Sequence, residues 1–336
     1  EGLTRMAMNQ AWLMDFDRIG STLKEARSAA LAAKDERNLA VLEAMVEYRL
    51  RLREGDVGAA LDAMLKSEEA LVRYDEFLLP LIWVSAATLL WCRGDLERAL
   101  DYIERARESA AARGMTYFTA AACATSAWIY ATLGLAEEAE AIRRRAIEDV
   151  RSPIGGFVSS TVWADLGFAA LALGDMEGAA DAVEEGLAAS SATKYWEMPR
   201  LLVGHALVQA ANGEVAEAHA SLDEAERFLR EKEVRVFDAH LAHGRAEVLI
   251  AEGKPDEAAV RLAEALEAAE AAGWRVFSVQ LAASAAALAE KRGDQAEARR
   301  CLELIRREVD AMASAVQDPT LSQALRAALA GPLVAS

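Results

Sequence analysis

The chain has 336 residues, 53% of them hydrophobic and 27% charged, so it is long enough to bury a large core. Asp and Glu total 54 against 37 Lys and Arg, a formal charge of −17. This sign disfavours direct nucleic-acid binding, because a protein that neutralises phosphates needs the opposite charge. The three cysteines are widely spaced, so we expect no disulfide framework and a cytoplasmic location.

The ends and the apolar stretches of the chain bear on its processing and location. The sequence starts at Glu1 without an initiator Met, and we therefore expect a fragment of a longer protein. Residues 77–92 lack charge but are short for a membrane span, and residues 114–136 are rich in Ala and Thr. We expect both to be buried helices of a protein without a membrane segment.

A turn motif recurs along the whole chain at a near-constant period. A Gly is usually followed by an acidic or small residue and, five positions after the Gly, by Ala. The intervals between these glycines are 39, 40, 40, 39, 40 and 40 residues. The turns are predicted at Gly55, Gly94, Gly134, Gly174, Gly213, Gly253 and Gly293, with a degenerate first copy near 16. A fixed period of this length indicates a helical solenoid.

Each copy predicts two helices separated by its glycine. The glycine supplies the left-handed conformation that ends the first helix, and the acidic residue after it caps or charges the start of the second. Pro80, Pro199 and Pro255 fall in first turns, where a missing N–H costs nothing. Arg143 replaces an expected apolar residue and shortly precedes residues 151–156, an irregular junction that is either a local hinge or a longer loop.

The order of key residues in two of the copies resembles the tetratricopeptide consensus. The matching positions are Trp83 or Trp163, then Ala87 or Gly167, then the Gly-Asp turn, then Ala99 or Ala179. The long period resembles the carboxy-terminal regions of multidomain bacterial ATPase regulators, such as LuxR-type activators related to the maltose regulator, and of ATPase-coupled cyclases. The tail is also similar to the closing helix of those regions in Val316-Gln317-Asp318-Pro319, Leu321, Leu325 and Leu329.

These observations predict an all-α fold. We expect residues 1–336 to form a single right-handed α-solenoid of about eight tetratricopeptide-like hairpins, closed by a capping helix at about 318–330. In such a solenoid the first helix of each hairpin lines the concave face. The candidate binding residues on that face are Arg49, Trp91, Trp128, Asp165, Phe168, Arg200, His240, His243 and Glu247.

Three interpretations apply to the inner aromatic residues Trp91, Trp128 and Phe168. They pack between helices as core residues, which is the usual role of aromatic residues at helical spacing. Alternatively they form a floor for an amphipathic helix or extended peptide. A small-molecule pocket, for instance one that stacks a sugar, is the third interpretation.

Polar residues near the carboxy-terminal end of the groove suggest two further arrangements. His240, His243 and Glu247 share a helix face at a spacing that zinc ligands could use, but the chain has only 4 His and no HExxH motif. We therefore interpret them as a polar stripe and expect no metal. Arg200 and His240 occupy equivalent positions one period apart, which predicts a pair that holds an anion.

Nothing in the sequence indicates catalysis. There is no Gly-rich loop followed by Lys-Ser or Lys-Thr and no Gly-x-Ser-x-Gly elbow. Asp165 is interpreted as a paired, buried carboxylate, and Cys92 and Cys123 as small core residues. We expect a binding scaffold rather than an enzyme, with no cofactor.

The predicted function is that of a sensor or interaction region in a bacterial signalling or transcription regulator. A protein or peptide would occupy the concave groove, and the superhelix would transmit its presence to a module outside this chain. The alternatives are a sensor of a small effector, such as a sugar, and a free-standing assembly scaffold. Homo-oligomers could form through the solenoid ends.

Overall fold

A computed structural model describes residues 1–151, 159–190 and 196–329. Over these ranges every regular element is a helix, and the elements follow one another as eight hairpins and a closing helix. The hairpins are α1 (Gly2–Trp12) with α2 (Phe16–Ala32); α3 (Glu36–Leu42) and α4 (Tyr48–Arg53) with α5 (Val57–Arg73); α6 (Leu79–Cys92) with α7 (Leu96–Ala112); α8 (Thr116–Thr132) with α9 (Ala136–Val150); α10 (Ser159–Leu173) with α11 (Met176–Ser190); α12 (Met198–Ala211) with α13 (Val215–Lys232); α14 (Asp238–Ala251) with α15 (Pro255–Ala272); and α16 (Arg275–Arg292) with α17 (Gln295–Ala315).

Two elements complete this order. The closing helix is α18 (Pro319–Leu329), and a π-helical turn, Glu43–Glu47, joins α3 to α4 without a break. Leu325 and Leu329 of α18 are buried, as the amphipathic spacing of the tail requires. The predicted all-α solenoid of about eight hairpins with a capping helix is confirmed.

The glycine turns follow from a local conformational requirement. All seven predicted turn glycines have a positive φ, between +71° at Gly134 and +85° at Gly55. At Gly94 the amide donates to the carbonyl of Trp91 at 2.8 Å, the pattern that ends a helix in a left-handed residue. In the degenerate first copy, Met14 takes this conformation with φ +51°, and α2 begins two residues later at Phe16.

The starts of the helices also behave as their residues dictate. The side chains of Asp56, Asp175 and Asp294 accept hydrogen bonds from backbone amides three residues ahead, at 2.8–3.1 Å. Pro80 and Pro199 lie in the first turns of α6 and α12, and Pro255 begins α15. The starts of these helices thus follow from the residue types found there.

Burial separates the two helices of each hairpin. In the third hairpin the first helix, α6, buries 12 of its 14 residues, whereas the second, α7, buries 6 of 17. The second helices present a charged face to solvent, and α7 carries the ion pairs of Arg98 with Asp95, Arg105 with Asp101 and Arg107 with Glu104. The core therefore runs as a continuous layer between the two sets of helices.

The superhelix winds tightly enough for distant repeats to touch. The backbone amide of Arg235 donates to the carbonyl of Arg53 at 2.8 Å, and the Arg53 side chain pairs with Glu233. The Glu97 carboxylate accepts hydrogen bonds from the amides of Gln317, at 2.5 Å, and Asp318, at 2.8 Å. We call these two groups of contacts the edge contacts, because they join one edge of the early repeats to the late ones.

Other close approaches accompany the edge contacts. A Cβ added at Gly94 would lie 2.6 Å from Cγ of Met312 on α17, and one at Gly134 would lie 3.9 Å from Ala328 on α18. Helices α6 and α16 also touch across the interior. The turns of the second to fourth hairpins thus face elements about five hairpins further along, so about five hairpins complete one superhelical turn.

The predicted irregular junction is only partly visible. Arg143 is mostly buried between Glu140, at 2.8 Å, and Asp175, at 2.7 Å, so its charge is paired where other repeats carry an apolar residue. Residues 152–158 lie outside the described residues, and with them most of the predicted 151–156 junction. Among the described helices, none is long and apolar enough to cross a membrane.

Candidate functional site

The first helices of all eight hairpins converge on one interior space, which we call the central cavity. Its volume is about 80 Å³. Each hairpin contributes lining residues from its first helix or from the residue that caps that helix. One lining residue from each hairpin in turn is Trp12, Arg49, Val84, Trp128, Asp165, Arg200, Phe237 and Trp274. Any occupant of the central cavity therefore lies near every repeat.

A buried charge cluster forms one wall of the central cavity. Arg200 on α12 donates to Asp165 on α10 at 2.9 Å and to Glu197 at 3.0 Å. Asp165 also accepts a hydrogen bond from Thr125 on α8 at 2.7 Å. Asp165 is 2% exposed and Arg200 6%, so both charges are removed from water and stabilised by each other.

Aromatic rings hold the Arg200 guanidinium from both sides. Its Cζ lies 5.2 Å from the ring centre of Trp128 and 5.1 Å from that of Phe168. Burial opposes the charge, but Glu197 and Asp165 raise the pKa of Arg200. Burial raises the pKa of Glu197, with Arg200 opposing the shift. The predicted interpretation of Asp165 as a paired carboxylate agrees with this geometry.

The structure gives other partners to Arg200 and His240, the predicted anion-holding pair. The guanidinium of Arg200 already has two carboxylate partners. His240 is buried and stacks on Phe277 at 4.5 Å between ring centres, beside Trp274. Burial, and then the charge of Arg200, hold the pKa of His240 well below its usual range, so its ring is neutral.

The other polar residues of α14 do not join His240. The Nε2 atom of His243 lies 3.2 Å from a carboxylate oxygen of Glu247, and both side chains are partly exposed. The hydrogen bond and charge of His243 lower the pKa of Glu247 against the opposing effect of burial. In the ranges that the structure describes, no group of three or more His, Cys, Asp or Glu side chains is placed to hold a metal ion.

Trp91 is a candidate binding residue that does not lie on the surface of the groove. It has no exposed surface and packs in the core, so it cannot contact a ligand in this conformation. Trp128 and Phe168 are only partly buried. The three inner aromatic residues thus divide, because Trp91 is core whereas Trp128 lines the central cavity and both Trp128 and Phe168 cover Arg200.

Arg49 differs from Arg200 in its surroundings. It lies on α4, is 5% exposed and lines the central cavity. Its guanidinium stacks on Trp12, with Cζ 3.9 Å from the ring centre, and beside Tyr48 at 4.8 Å. Its Nη1 atom donates weakly to the Met45 carbonyl at 3.4 Å, while Nε has no acceptor. Desolvation lowers the pKa of Arg49.

The sequence also predicted the state of the cysteines. Cys92, Cys123 and Cys301 are all free and buried. Burial raises the pKa of Cys92 to about 12 and that of Cys301 to about 11. These thiols are therefore inert core residues, as expected for Cys92 and Cys123.

Several cavity residues escaped the sequence reasoning. They are Trp12, Tyr48, Trp196, Glu197, Phe237 and Trp274. The positions searched lay up to 13 residues before each turn glycine, whereas Glu197 and Phe237 both stand 16 residues before theirs. Extending the same register by one helical turn would have found Glu197 and Phe237 at the starts of α12 and α14.

Sequence comparisons do not place this chain in a family. No protein-family profile matches it, and none of the curated proteins matches it by sequence.

Solved structures nevertheless share its architecture. A Rap protein complexed with competence and sporulation factor is similar with a TM-score of 0.66 and 13% identity, over 94% of this chain and 98% of that one. The APC/C hetero-tetramer Cut9–Hcn1 is similar with a TM-score of 0.52 and 13% identity, over 92% of this chain and 52% of that one. At such low identity the likeness shows the fold alone, and that fold is a helical repeat of the tetratricopeptide type.

Proposed function

We propose that this chain is a non-catalytic binding scaffold whose inner face takes a protein segment or peptide. The observation that carries the proposal is the convergence of all eight hairpins on the central cavity. An occupant would contact several repeats at once, so its binding energy would favour one pitch of the superhelix over others.

The edge contacts supply the second state that such a mechanism needs. The central cavity, about 80 Å³, is far too small for a helix about 10 Å across, so a peptide must enter while the early and late repeats are apart. The contacts of Arg53 with Glu233 and of Glu97 with Gln317 would then break or form with occupancy. Binding would be reported as a change in the distance between the repeat edges.

A small effector is the second candidate occupant, and it is favoured by the state in which the edge contacts are formed. The cavity wall combines aromatic rings with buried charges, which suits a ligand of mixed polar and apolar character. In this version the ligand holds the edges together rather than apart. The two occupants therefore predict opposite changes in the size of the solenoid, because a peptide separates the repeat edges and a small effector holds them together.

The wider context of the proposal is that of a bacterial regulator. The resemblance to ATPase regulators of the maltose-regulator type supports a sensor that acts on a nucleotide-binding module in a longer, cytoplasmic chain. A natural chain extended at its amino terminus by such a module would support this context. A natural chain that starts near Glu1 would instead favour a free-standing scaffold.

The experiment is a thermal-shift screen of the purified chain against helical peptides, nucleotides and sugars. Each hit is repeated with Trp128→Phe, which alters the cavity wall, and with Trp163→Phe, which alters a buried indole outside the cavity lining. A ligand that stabilises the parent and the Trp163 variant but not the Trp128 variant places its site on the inner face. Equal responses of both variants, or no hit, would contradict the proposal.

Hydrogen exchange then distinguishes the two occupants. The amides of Gln317 and Asp318 donate to Glu97, so their protection reports closure of the edges. A small effector should slow exchange at both amides, whereas a peptide that opens the solenoid should accelerate it. An unchanged rate with a bound ligand would refute the coupling.

A further inference from the structure

Arg49 is a buried cation without a carboxylate partner. Among the described residues no carboxylate lies within ion-pair distance of it, although it is 5% exposed. The carboxylate whose charge acts on it is Glu197, which is already hydrogen bonded to Arg200 at 3.0 Å. Buried charges in proteins are normally paired, so this guanidinium lacks an anion.

The position of Arg49 is fixed although its hydrogen bonds are not complete. Its guanidinium rests on Trp12 and Tyr48, and ring contacts of this kind do not use the N–H donors in the guanidinium plane. Of these donors, Nη1 makes the weak bond to Met45 and Nε has no acceptor. The π-helical turn at Glu43–Glu47 directly precedes α4, and such turns are often found at functional sites. The side chain is thus preorganised at the wall of the central cavity.

A second donor at the same cavity also lacks an acceptor. Trp274 caps α16, lines the central cavity, and has a buried Nε1 without a hydrogen-bond partner. The adjacent His240 has a buried Nδ1 in the same condition. Two residues that line the cavity, Arg49 and Trp274, thus each carry a buried N–H without an acceptor. Buried polar groups of this kind are rare without a ligand or ordered water.

The rest of the lining fixes the size and character of the missing group. The cavity of about 80 Å³ has room for only about five to eight non-hydrogen atoms, given about 10–15 Å³ for one water. Leu52, Leu81 and Val84 make part of its wall apolar. Asp165 and Glu197, which also line the cavity, would repel a multiply charged anion such as phosphate more strongly than a singly charged one.

We propose that the central cavity binds a small monocarboxylic acid, with its carboxylate on Arg49 and Trp274 and its hydrocarbon part against the apolar wall. The inference deepens the proposed function and rests on it for the location of the ligand. It names the chemical class of the small effector that the closed state would hold. A free acid is favoured over the carboxyl end of a peptide because a volume of about 80 Å³ has no room for further residues.

The test is isothermal titration of the parent chain with butyrate and valerate, against butyramide and valeramide, at constant ionic strength. The parent should bind the acids and not the amides. Arg49→Gln should weaken acid binding by about 10- to 100-fold, the usual effect of losing a hydrogen bond to a charged group. Trp274→Phe should weaken it by several fold.

Arg105→Gln is the matched control. Arg105 also stacks on a Trp and a Tyr, with its Cζ 4.5 Å from the ring of Trp83 and 5.0 Å from that of Tyr102. Unlike Arg49, it is paired with a carboxylate, Glu68, at 2.6 Å and lies outside the cavity lining. Its replacement should leave acid binding unchanged. Near-ultraviolet circular dichroism checks that each variant is folded. If Arg49→Gln does not fold, Arg49→Met takes its place in the test.

The outcomes separate this inference from the proposed function. Failure of both acids to bind the parent would overturn the inference, because waters would then satisfy the donors, but it would leave a peptide hit of the thermal-shift screen intact. Equal acid affinity in the parent and in the Arg49 variants would overturn it as well. A short peptide that binds with a free but not an amidated carboxyl end, where the free acids fail, would replace the acid by a peptide terminus.

Discussion

Replacing Arg200 by Met tests whether the charge cluster is sealed from water. The change leaves the carboxylates of Asp165 and Glu197 buried without their cation. Removing one partner of a buried ion pair costs about 3–5 kcal/mol. The unfolding entropy of about 2.1 cal/mol/K per residue gives about 0.7 kcal/mol/K for 336 residues that unfold together. The midpoint of thermal unfolding should therefore fall by about 4–7 °C.

The pH dependence of that loss gives a second readout. Without Arg200, the pKa of Glu197 should rise further above its ordinary 4.5, because burial already raises it and the main opposing charge is gone. A carboxyl with a raised pKa in the folded state binds more protons folded than unfolded, so stability falls as pH rises above about 4.5. The difference in the free energy of unfolding between Arg200→Met and the parent should thus be larger at pH 8 than at pH 5.

Circular dichroism melts at both pH values, with urea unfolding as a check, measure these effects. The triple variant Asp165→Asn/Glu197→Gln/Arg200→Met removes all three charges and should recover most of the loss. Arg144→Met is the control, because that side chain is 69% exposed and its ion pair is worth about 1 kcal/mol at most. An Arg200→Met midpoint within 1 °C of the parent would show that water reaches the cluster.

Three further predictions concern the turns, the edges and the thiols. Gly94→Ala should lower the free energy of unfolding in urea by about 2–4 kcal/mol, because it adds a collision with Met312 to the backbone strain at φ +82°. Gly293→Ala, whose added Cβ meets nothing within 4 Å, should lower it by only about 1–2 kcal/mol. Equal losses would exclude the edge contact in solution. Glu97→Ala should speed hydrogen exchange at the amides of Gln317 and Asp318 and enlarge the radius of gyration measured by X-ray scattering. An unchanged radius of gyration would mean that other contacts hold the repeat edges together. Cys92 should react with a disulfide reagent at about one thousandth of its unfolded rate at pH 8, since little thiolate forms at a pKa of about 12, and Cys301, with a pKa of about 11, at about one hundredth. Fast labelling of either thiol in the folded chain would contradict its burial.

The fold was predictable because its signals are local. A positive φ at Gly55 or Gly293 depends on the residue itself and its immediate neighbours, and the period of about 40 residues repeats that signal seven times. The contact of Arg53 with Glu233 joins residues 180 positions apart. No local pattern encodes such a pairing, so the tightness of the winding was beyond the sequence.

The candidate site was predictable only in outline. The register placed Trp128, Asp165 and Arg200 on the inner helices, and all three line the central cavity. It could not separate Trp91, which lies three residues before its turn glycine, from Trp128, which lies six before its own. On a helix, positions three residues apart point only about 60° apart, so the register assigns both to the same face, and the packing of the neighbouring hairpins decides which of them is covered.

The edge contacts also restrict how this chain could have changed its length. Open repeat arrays gain or lose units by duplication, since each unit touches only the next. Here an inserted or deleted hairpin between Arg53 and Glu233 would bring a different residue opposite Arg53 and shift Glu97 away from the start of α18. Descendants of this chain should therefore vary by substitution more readily than by copy number, much as the blade count of a closed propeller is held constant.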